Sequence, residues 1–414
     1  MRTENPNDER NSQVLAWRTR IAADETGVRA PFPYWEMPGI AQALHRVFTE
    51  AWAACGAFEW VALGYLGLSS GLILFFWENL AHPAKLLGMQ VFVASVILGL
   101  CGMEARWRCR VEIGDQKCST WNNSRYGRNP GRWDCFTWNN LPFWGNPQRR
   151  ECFTWNILYF WRHWYPHLFF LFCFEELAYL VHLVYRGWFD AKLIAFDAWL
   201  TGVNPSLWLE RLAHPALNEF MQFAYFTYFV YLLILGGILY YRREMESYWA
   251  VMTYSAVGYA LGYMISIFFP VQSPWFTFAG MWRGDLVGGP FTALINFIEK
   301  CGRVHGAAFP SQHVAGAMAA LWGAWRHRRW LFWTFLPFVV CMCVSTVYVR
   351  NHYVADVFGG LITGTLGYFL GKWIVALQRR PAIDAEKARD GVRDIEQLQL
   401  ARVLTDELQA NRQA

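Results

Sequence analysis

Residues 330–356 read WLFWTFLPFVVCMCVSTVYVRNHYVAD. Positions 330–349 carry no charged side chain. Twenty helical residues at about 1.5 Å each reach about 30 Å, the hydrocarbon thickness of a bilayer. The stretch therefore predicts a membrane-crossing helix, with Arg350, His352 and Asp356 gathered just beyond its end. The same test applied outward predicts about eight spans, near 57–77, 86–104, 166–186, 219–241, 249–269, 310–326, 330–349 and 353–377. The expected fold class is an all-α, polytopic membrane helix bundle. The span at 166–186 contains Glu175, Glu176 and His182, which should face a protein interior or a wet cavity. The span at 310–326 is short and rich in Ala and Gly, which suits close helix packing.

Composition agrees. The chain has 414 residues, 55% of them hydrophobic and 17% charged, whereas a soluble domain carries about 25% charge. Its 24 Trp residues suit membrane–water interfaces. The net charge of +5 is mild and gives no nucleic-acid signal. Of the ten cysteines, Cys55, Cys101, Cys173, Cys341 and Cys343 lie in or beside apolar runs and read as small apolar side chains. No Cys-x-x-Cys pair supports a zinc ribbon or a thioredoxin motif. The first 30 residues are charged and lack the apolar segment of a signal peptide.

Basic residues cluster between spans: Arg106, Arg108 and Arg110, Arg149 and Arg150, Arg242 and Arg243, Arg326, Arg328 and Arg329, then Lys372, Arg379 and Arg380. Placing all of them in the cytoplasm lets the spans alternate without contradiction and puts both termini inside. Residues 270–310 and the turn at 350–353 then face the extracytoplasmic side. The expected location is a plasma or inner membrane.

Residues 105–156 hold a tandem repeat, Cys118-Ser-Thr-Trp-Asn-Asn, Cys135-Phe-Thr-Trp-Asn-Asn and Cys152-Phe-Thr-Trp-Asn, with a period of 17 residues. The period is too short for the common helical repeats, and the single cysteines lack paired ligand spacing. It reads as a local duplication in a cytoplasmic loop, or as a partner-binding element. Residues 188–216 are amphipathic, with Trp188, Phe189, Leu193, Trp199, Leu207 and Trp208 among Asp190, Asp197, Glu210 and Arg211. An interfacial segment is expected there, either lining a lipid entrance or serving as a simple connection. The organisation is thus a polar arm 1–50, two spans in 51–104, the repeat insert 105–156, a main domain 157–377 and a cytoplasmic tail 378–414.

Two segments carry chemistry. In Phe309-Pro310-Ser311-Gln312-His313-Val314-Ala315, Pro and Ser open a helix. Free N–H groups at such an end attract an anion. A protonated His313 there would give up its proton readily. In Tyr348-Val349-Arg350-Asn351-His352-Tyr353-Val354-Ala355-Asp356, a helix would place His352 and Asp356 on one face at i and i+4. A carboxylate behind an imidazole fixes its tautomer and leaves the other nitrogen free to attack phosphorus. Arg350 offers a planar fork for phosphate. Each piece alone has a plainer reading: a capping Ser, an interfacial His, a surface His–Asp pair. Their coincidence at one membrane face favours the chemical one.

These two segments resemble the second and third signature motifs of the type 2 phosphatidic acid phosphatase superfamily. More closely they resemble the branch of inositol phosphorylceramide synthases and their bacterial relatives. Phe269-Pro-Val-Gln-Ser-Pro-Trp-Phe276, Asp197-Ala-Trp-Leu-Thr-Gly-Val-Asn-Pro205 and Tyr225-Phe-Thr-Tyr228 are similar to further patterns of that branch. The resemblance covers residues 160–377 and implies a six-helix catalytic core. It implies that His352 is a nucleophile forming a phosphohistidine, that Asp356 orients it, and that His313 protonates the leaving oxygen. Arg350, Ser311 and the Gln312 amide would hold phosphoryl oxygens. No metal or other cofactor is implied, and the partners would be a lipid phosphate and the bilayer.

The sequence also departs from that pattern. The first motif, a Lys six residues ahead of Arg-Pro, is missing, which leaves Lys300, Arg303 and Arg283 as candidates for its phosphate-binding role. The usual Ser-Arg pair reads Ser345-Thr346, and the Gly between Ser and His is Gln312. The expected function is a membrane lipid phosphatase or phosphotransferase, including transfer of a headgroup as in inositol phosphorylceramide synthases. The alternatives are a transporter or a catalytically inactive scaffold. A transporter should show internal symmetry, and the sequence shows none.

Overall fold

The computed structural model describes residue 45 and residues 48–117 and 147–378, with backbone alone over 107–117 and 147–155. The arm up to residue 44, the centre of the Cys-x-Thr-Trp-Asn repeat (118–146) and the tail from 379 lie outside the described residues.

Among the described residues the fold is all-α. The helices are α1 (Ala57–Phe75), α2 (Pro83–Lys117), α3 (Pro147–Leu180), α4 (Asp190–Thr201), α5 (Pro205–Leu209), α6 (Pro215–Phe226), α7 (Tyr228–Tyr241), α8 (Met245–Phe268), α9 (Pro274–Thr277), α10 (Pro290–Gly302), α11 (Gln312–His327), α12 (Arg329–Tyr348) and α13 (Val354–Gln378). Six stretches are long and apolar enough to cross a membrane: Ala57–Phe75, Pro83–Arg106, Pro215–Tyr241, Met245–Phe268, Arg329–Tyr348 and Val354–Gln378. This makes the chain a multi-pass membrane protein.

Two of the eight expected spans fall short of that standard for identifiable reasons. The expected span at 166–186 runs past the end of α3, a helix loaded with Arg162, Glu175 and Glu176. The one at 310–326 is α11, only 16 residues long, or about 24 Å of helix. Both helices are nevertheless packed in the bundle. Glu176 is buried and accepts a 2.8 Å bond from Gln90 Nε2, which also donates to Ser69 Oγ. The expected inward orientation of that polar group is thus met by α1 and α2. A second buried network joins the same helices, with Arg162 2.9 Å from both Glu59 Oε1 and Glu104 Oε2 and stacked over Trp249 at 4.3 Å.

Helix α8 lies at the centre and packs on α11, α1, α3 and α7. Helix α13 closes the bundle through glycines. A Cβ on Gly364 would lie 2.4 Å from Ala315 O of α11, and one on Gly367 would lie 2.6 Å from Gly258 Cα of α8. Small residues let helix backbones approach this closely, which gains dispersion contact where lipid supplies no hydrophobic drive. The start of α13 is thereby held against the start of α11.

The helical hairpin α11–α12 turns at Arg328, so His313 and His352 return to the same end of the bundle. Arg328 pairs with Glu244 in the α7–α8 connection. Both basic turns therefore lie at the end away from the histidines.

Candidate active site

After α12 the chain must reverse sharply. Arg350 does this with φ of 68°, in the left-handed region that usually takes Gly or Asn after a helix. The N–H groups of Asn351 and His352 both donate to Thr346 O at 3.1 Å. An Arg in this conformation costs about 1–3 kcal/mol and needs surroundings that over-determine it. Those surroundings are present. Arg350 Nη2 donates to Glu210 Oε1 at 2.9 Å and to Gly284 O at 2.8 Å, and its guanidinium lies 4.3 Å over Trp282. Its carbonyl accepts from Trp275 N. Burial lowers the guanidinium from its ordinary value, against the opposing pull of Glu210 and Asp285.

The turn delivers His352 to α11. His352 Nδ1 lies 2.9 Å from Ala308 O and 3.3 Å from Asp356 Oδ2. Both are acceptors, so Nδ1 carries the proton and Nε2 presents a lone pair. That Nε2 is 3.1 Å from His313 Nδ1. His313 Nε2 is in turn 2.7 Å from the hydroxyl of Tyr225 on α6. One consistent arrangement for the neutral pair has Tyr225 O–H donating to His313 and His313 N–H donating to His352. Asp356 is fully buried, and its Oδ2 also accepts from Tyr353 N at 2.8 Å. Its backbone carbonyl accepts from Ser311 N at 3.0 Å, which ties the first turns of α11 and α13 together.

The structure thus brings His313, His352 and Asp356 into one contact chain. The other expected site residues are placed differently. Ser311 is fully buried, and its Oγ accepts from Val314 N at 3.4 Å as the helix cap. The capped turn leaves the Gln312 and His313 N–H groups without intrahelical acceptors. The Gln312 side chain lies against Gly262 of α8, with both amide atoms buried and unbonded. Arg350 has the partners just described, while its Nε is buried with no acceptor. Arg303 pairs with Glu299 and stacks 4.6 Å over Trp275. Lys300 and Arg283 are exposed; Arg283 enters only through its backbone N–H, 2.8 Å from Glu210 Oε1.

Several neighbours of the site were not assigned to it from sequence, although Asp190, Asp197 and Glu210 stand out in the amphipathic segment. Asp190 and Asp197 share a face of α4, two turns apart. Asp190 accepts from Gln272 N, Thr277 Oγ1 and Tyr353 Oη at 2.8–3.0 Å. Asp197 accepts from Val354 N and Ala355 N, both at 2.9 Å, and so caps α13 from outside. Burial raises the Asp197 carboxyl from its ordinary value, and the two N–H donors oppose that rise. The segment expected to be interfacial therefore clamps the His352 turn. The seven-residue spacing of the two aspartates was the available signal. Glu210 and Asn351 carried no comparable signal, because their side-chain partners lie more than 50 residues away, and the local i, i+4 pairing of Glu299 with Arg303 reads as an ordinary helix-surface pair.

Comparison with curated proteins and with solved structures finds no match. A family model described as PAP2 superfamily matches residues 191–370, a segment that contains His313, His352, Asp356 and Tyr225. That match supports the PAP2 superfamily for the part of this membrane protein that carries the paired histidines.

Proposed function

We propose that this protein is a membrane lipid phosphatase or phosphotransferase that works through a phosphohistidine at His352. The observation that carries the reading is the 3.1 Å contact between the two imidazoles with a buried carboxylate behind one of them. His352 Nε2 attacks phosphorus, forming an N–P bond as the P–O bond breaks. His313, protonated on both nitrogens, gives its Nδ1 proton to the departing oxygen. Asp356 and Ala308 O hold the Nδ1–H of His352 and offset the positive charge that develops on its ring. The N–H groups opening α11 receive phosphoryl oxygens, as helix starts do for anions. Arg350 Nε and Arg303 are the candidate cationic partners. These fixed donors supply the electrostatic stabilisation without a metal ion. In the second step water or an alcohol attacks the phosphohistidine, and His313 takes back a proton.

In-line attack puts phosphorus about 3–3.5 Å from Nε2, with the leaving oxygen on its far side. The imidazoles must therefore separate from 3.1 Å to admit substrate. Transfer to a hydroxyl rather than to water is favoured by the resemblance of Tyr348–Asp356 to the inositol phosphorylceramide synthase branch. The positioning of Asn351 and Glu299, two hydrogen-bonding side chains next to this site, suits a polyol. The charge pattern supports an extracytoplasmic site with cytoplasmic termini.

The test is incubation of the purified protein with phosphorus-labelled lipid phosphate, with and without EDTA and with and without a polyol or lipid alcohol. Label released or transferred despite EDTA, through an acid-labile protein adduct, is the expected result. Silence across a broad lipid panel would leave the transporter or inactive scaffold as the better reading.

A further inference from the structure

An imidazole that gives away its Nδ1 proton and ends neutral must begin with Nε2 protonated as well. That Nε2–H needs an acceptor, because His313 is only partly exposed and turns Nε2 toward the protein, where a donor left without an acceptor is costly. The atom facing it is Tyr225 Oη at 2.7 Å, with ring centroids 4.8 Å apart. Tyr228 covers the imidazole at 4.7 Å, and its hydroxyl is bonded to Tyr259. His352 occupies the other nitrogen. Among the described residues no carboxylate contacts His313, since Asp356 serves His352. Besides His313, the groups around the Tyr225 hydroxyl are Asn351, Glu299, Arg303 and Tyr228, and Glu299 is bonded to both Asn351 and Arg303.

We propose that Tyr225 is the positioning residue that makes His313 the general acid. Tyr225 Oη accepts the Nε2–H of the imidazolium and points Nδ1–H at the leaving oxygen, while Glu299 offsets the charge through Tyr225. This deepens, and rests on, the phosphohistidine reading above. In the substrate-free neutral pair the hydroxyl donates to His313 Nε2. During the reaction it accepts Nε2–H throughout, first from the imidazolium and then from the neutral imidazole left when Nδ1 gives up its proton. No net proton is gained or lost by Tyr225.

The experiment uses full-length protein in vesicles and two substrates. A lipid alkyl phosphate has a leaving alkoxide that needs a proton; an aryl phosphate such as p-nitrophenyl phosphate does not. For Tyr225→Phe, the single-turnover rate of phosphohistidine formation from the lipid phosphate should fall roughly 100-fold or more, the usual scale of general acid catalysis. On the aryl phosphate it should stay within about threefold, because the acid is dispensable there. The alkaline limb of the lipid-phosphate profile should move to lower pH. Should the Phe variant fail to fold, 3-fluorotyrosine at position 225 keeps the contact and makes the hydroxyl a weaker acceptor. It should shift the same limb in the same direction. Glu299→Gln should reproduce a smaller version of both effects. Equal loss on both substrates by folded protein, no loss on either, or an unmoved limb overturns the assignment. Wild-type protein that turns over without labelled His352 overturns the underlying reading, and this one with it.

Discussion

Asp197 accepts the backbone N–H of Val354 at 2.9 Å, so the helix that carries Asp356 is capped by a side chain 157 positions earlier in the chain. Its other oxygen takes the Ala355 N–H at the same distance. Replacement by Ala would leave two backbone donors without acceptors, at about 1–3 kcal/mol each. Asp197→Ala should lower the melting temperature, and turnover should fall at least tenfold as His352 and Asp356 lose their placement. Asp197→Asn should be milder. The folded carboxyl is raised above its usual value of 3.8 by burial. Its contribution is therefore fully present below that value and declines as pH rises through the folded one. The melting-temperature gap between wild type and Asp197→Asn should be widest in acid and narrow toward neutrality, as thermal melts at several pH values would read.

Replacing His352 with Ala should abolish turnover and the labelled adduct while membrane insertion is kept. An active, label-forming variant would remove His352 as the nucleophile. Asp356→Asn keeps the shape but presents an amide donor to His352 or to the Tyr353 N–H. Turnover should fall roughly 100- to 10,000-fold, with substrate binding less affected. Steady-state kinetics on one lipid phosphate would check both.

Arg350 and Glu210 form a buried pair, 2% and 7% exposed at the side chain. Removing one partner strands the other, at about 3–5 kcal/mol. Arg350→Ala should therefore destabilise the protein severely, and Arg350→Met with Glu210→Met should recover much of the stability. Activity separates two roles. A double variant that is stable but inactive assigns Arg350 to phosphate; one that is stable and active assigns it to the turn alone. Denaturation followed by Trp fluorescence, paired with turnover, reads both.

Glycines offer a packing test with an internal control. A side chain at 364 meets Ala315 O and Met318 Cβ at 2.4 and 2.7 Å, so Gly364→Val must push α13 off α11. The Ser311–Asp356 bond joins the same two helices nearer their starts, and activity should be lost. Gly71 in α1 has nothing within 4 Å of an added Cβ. Gly71→Ala should leave activity unchanged and stability equal or slightly higher. Inactivation by both would undo the packing argument.

Fold class and the candidate site residues could be read locally. Uncharged runs such as 330–349 announce helices in a bilayer, because hydrocarbon demands internal backbone pairing and excludes charge. The pairing of His352 with Asp356 and the Pro-Ser start before His313 were likewise legible, although His352 lies two residues ahead of α13 and meets Asp356 from the turn rather than from a shared helical face. What local pattern cannot express is which turns meet. That His313 touches His352, that Tyr225 lies behind His313, that α4 caps α13 and that Arg350 is held by Glu210 all depend on contacts at least 39 positions apart. Those contacts follow from helix crossings and glycine-lined backbone approaches, which only the packed bundle determines.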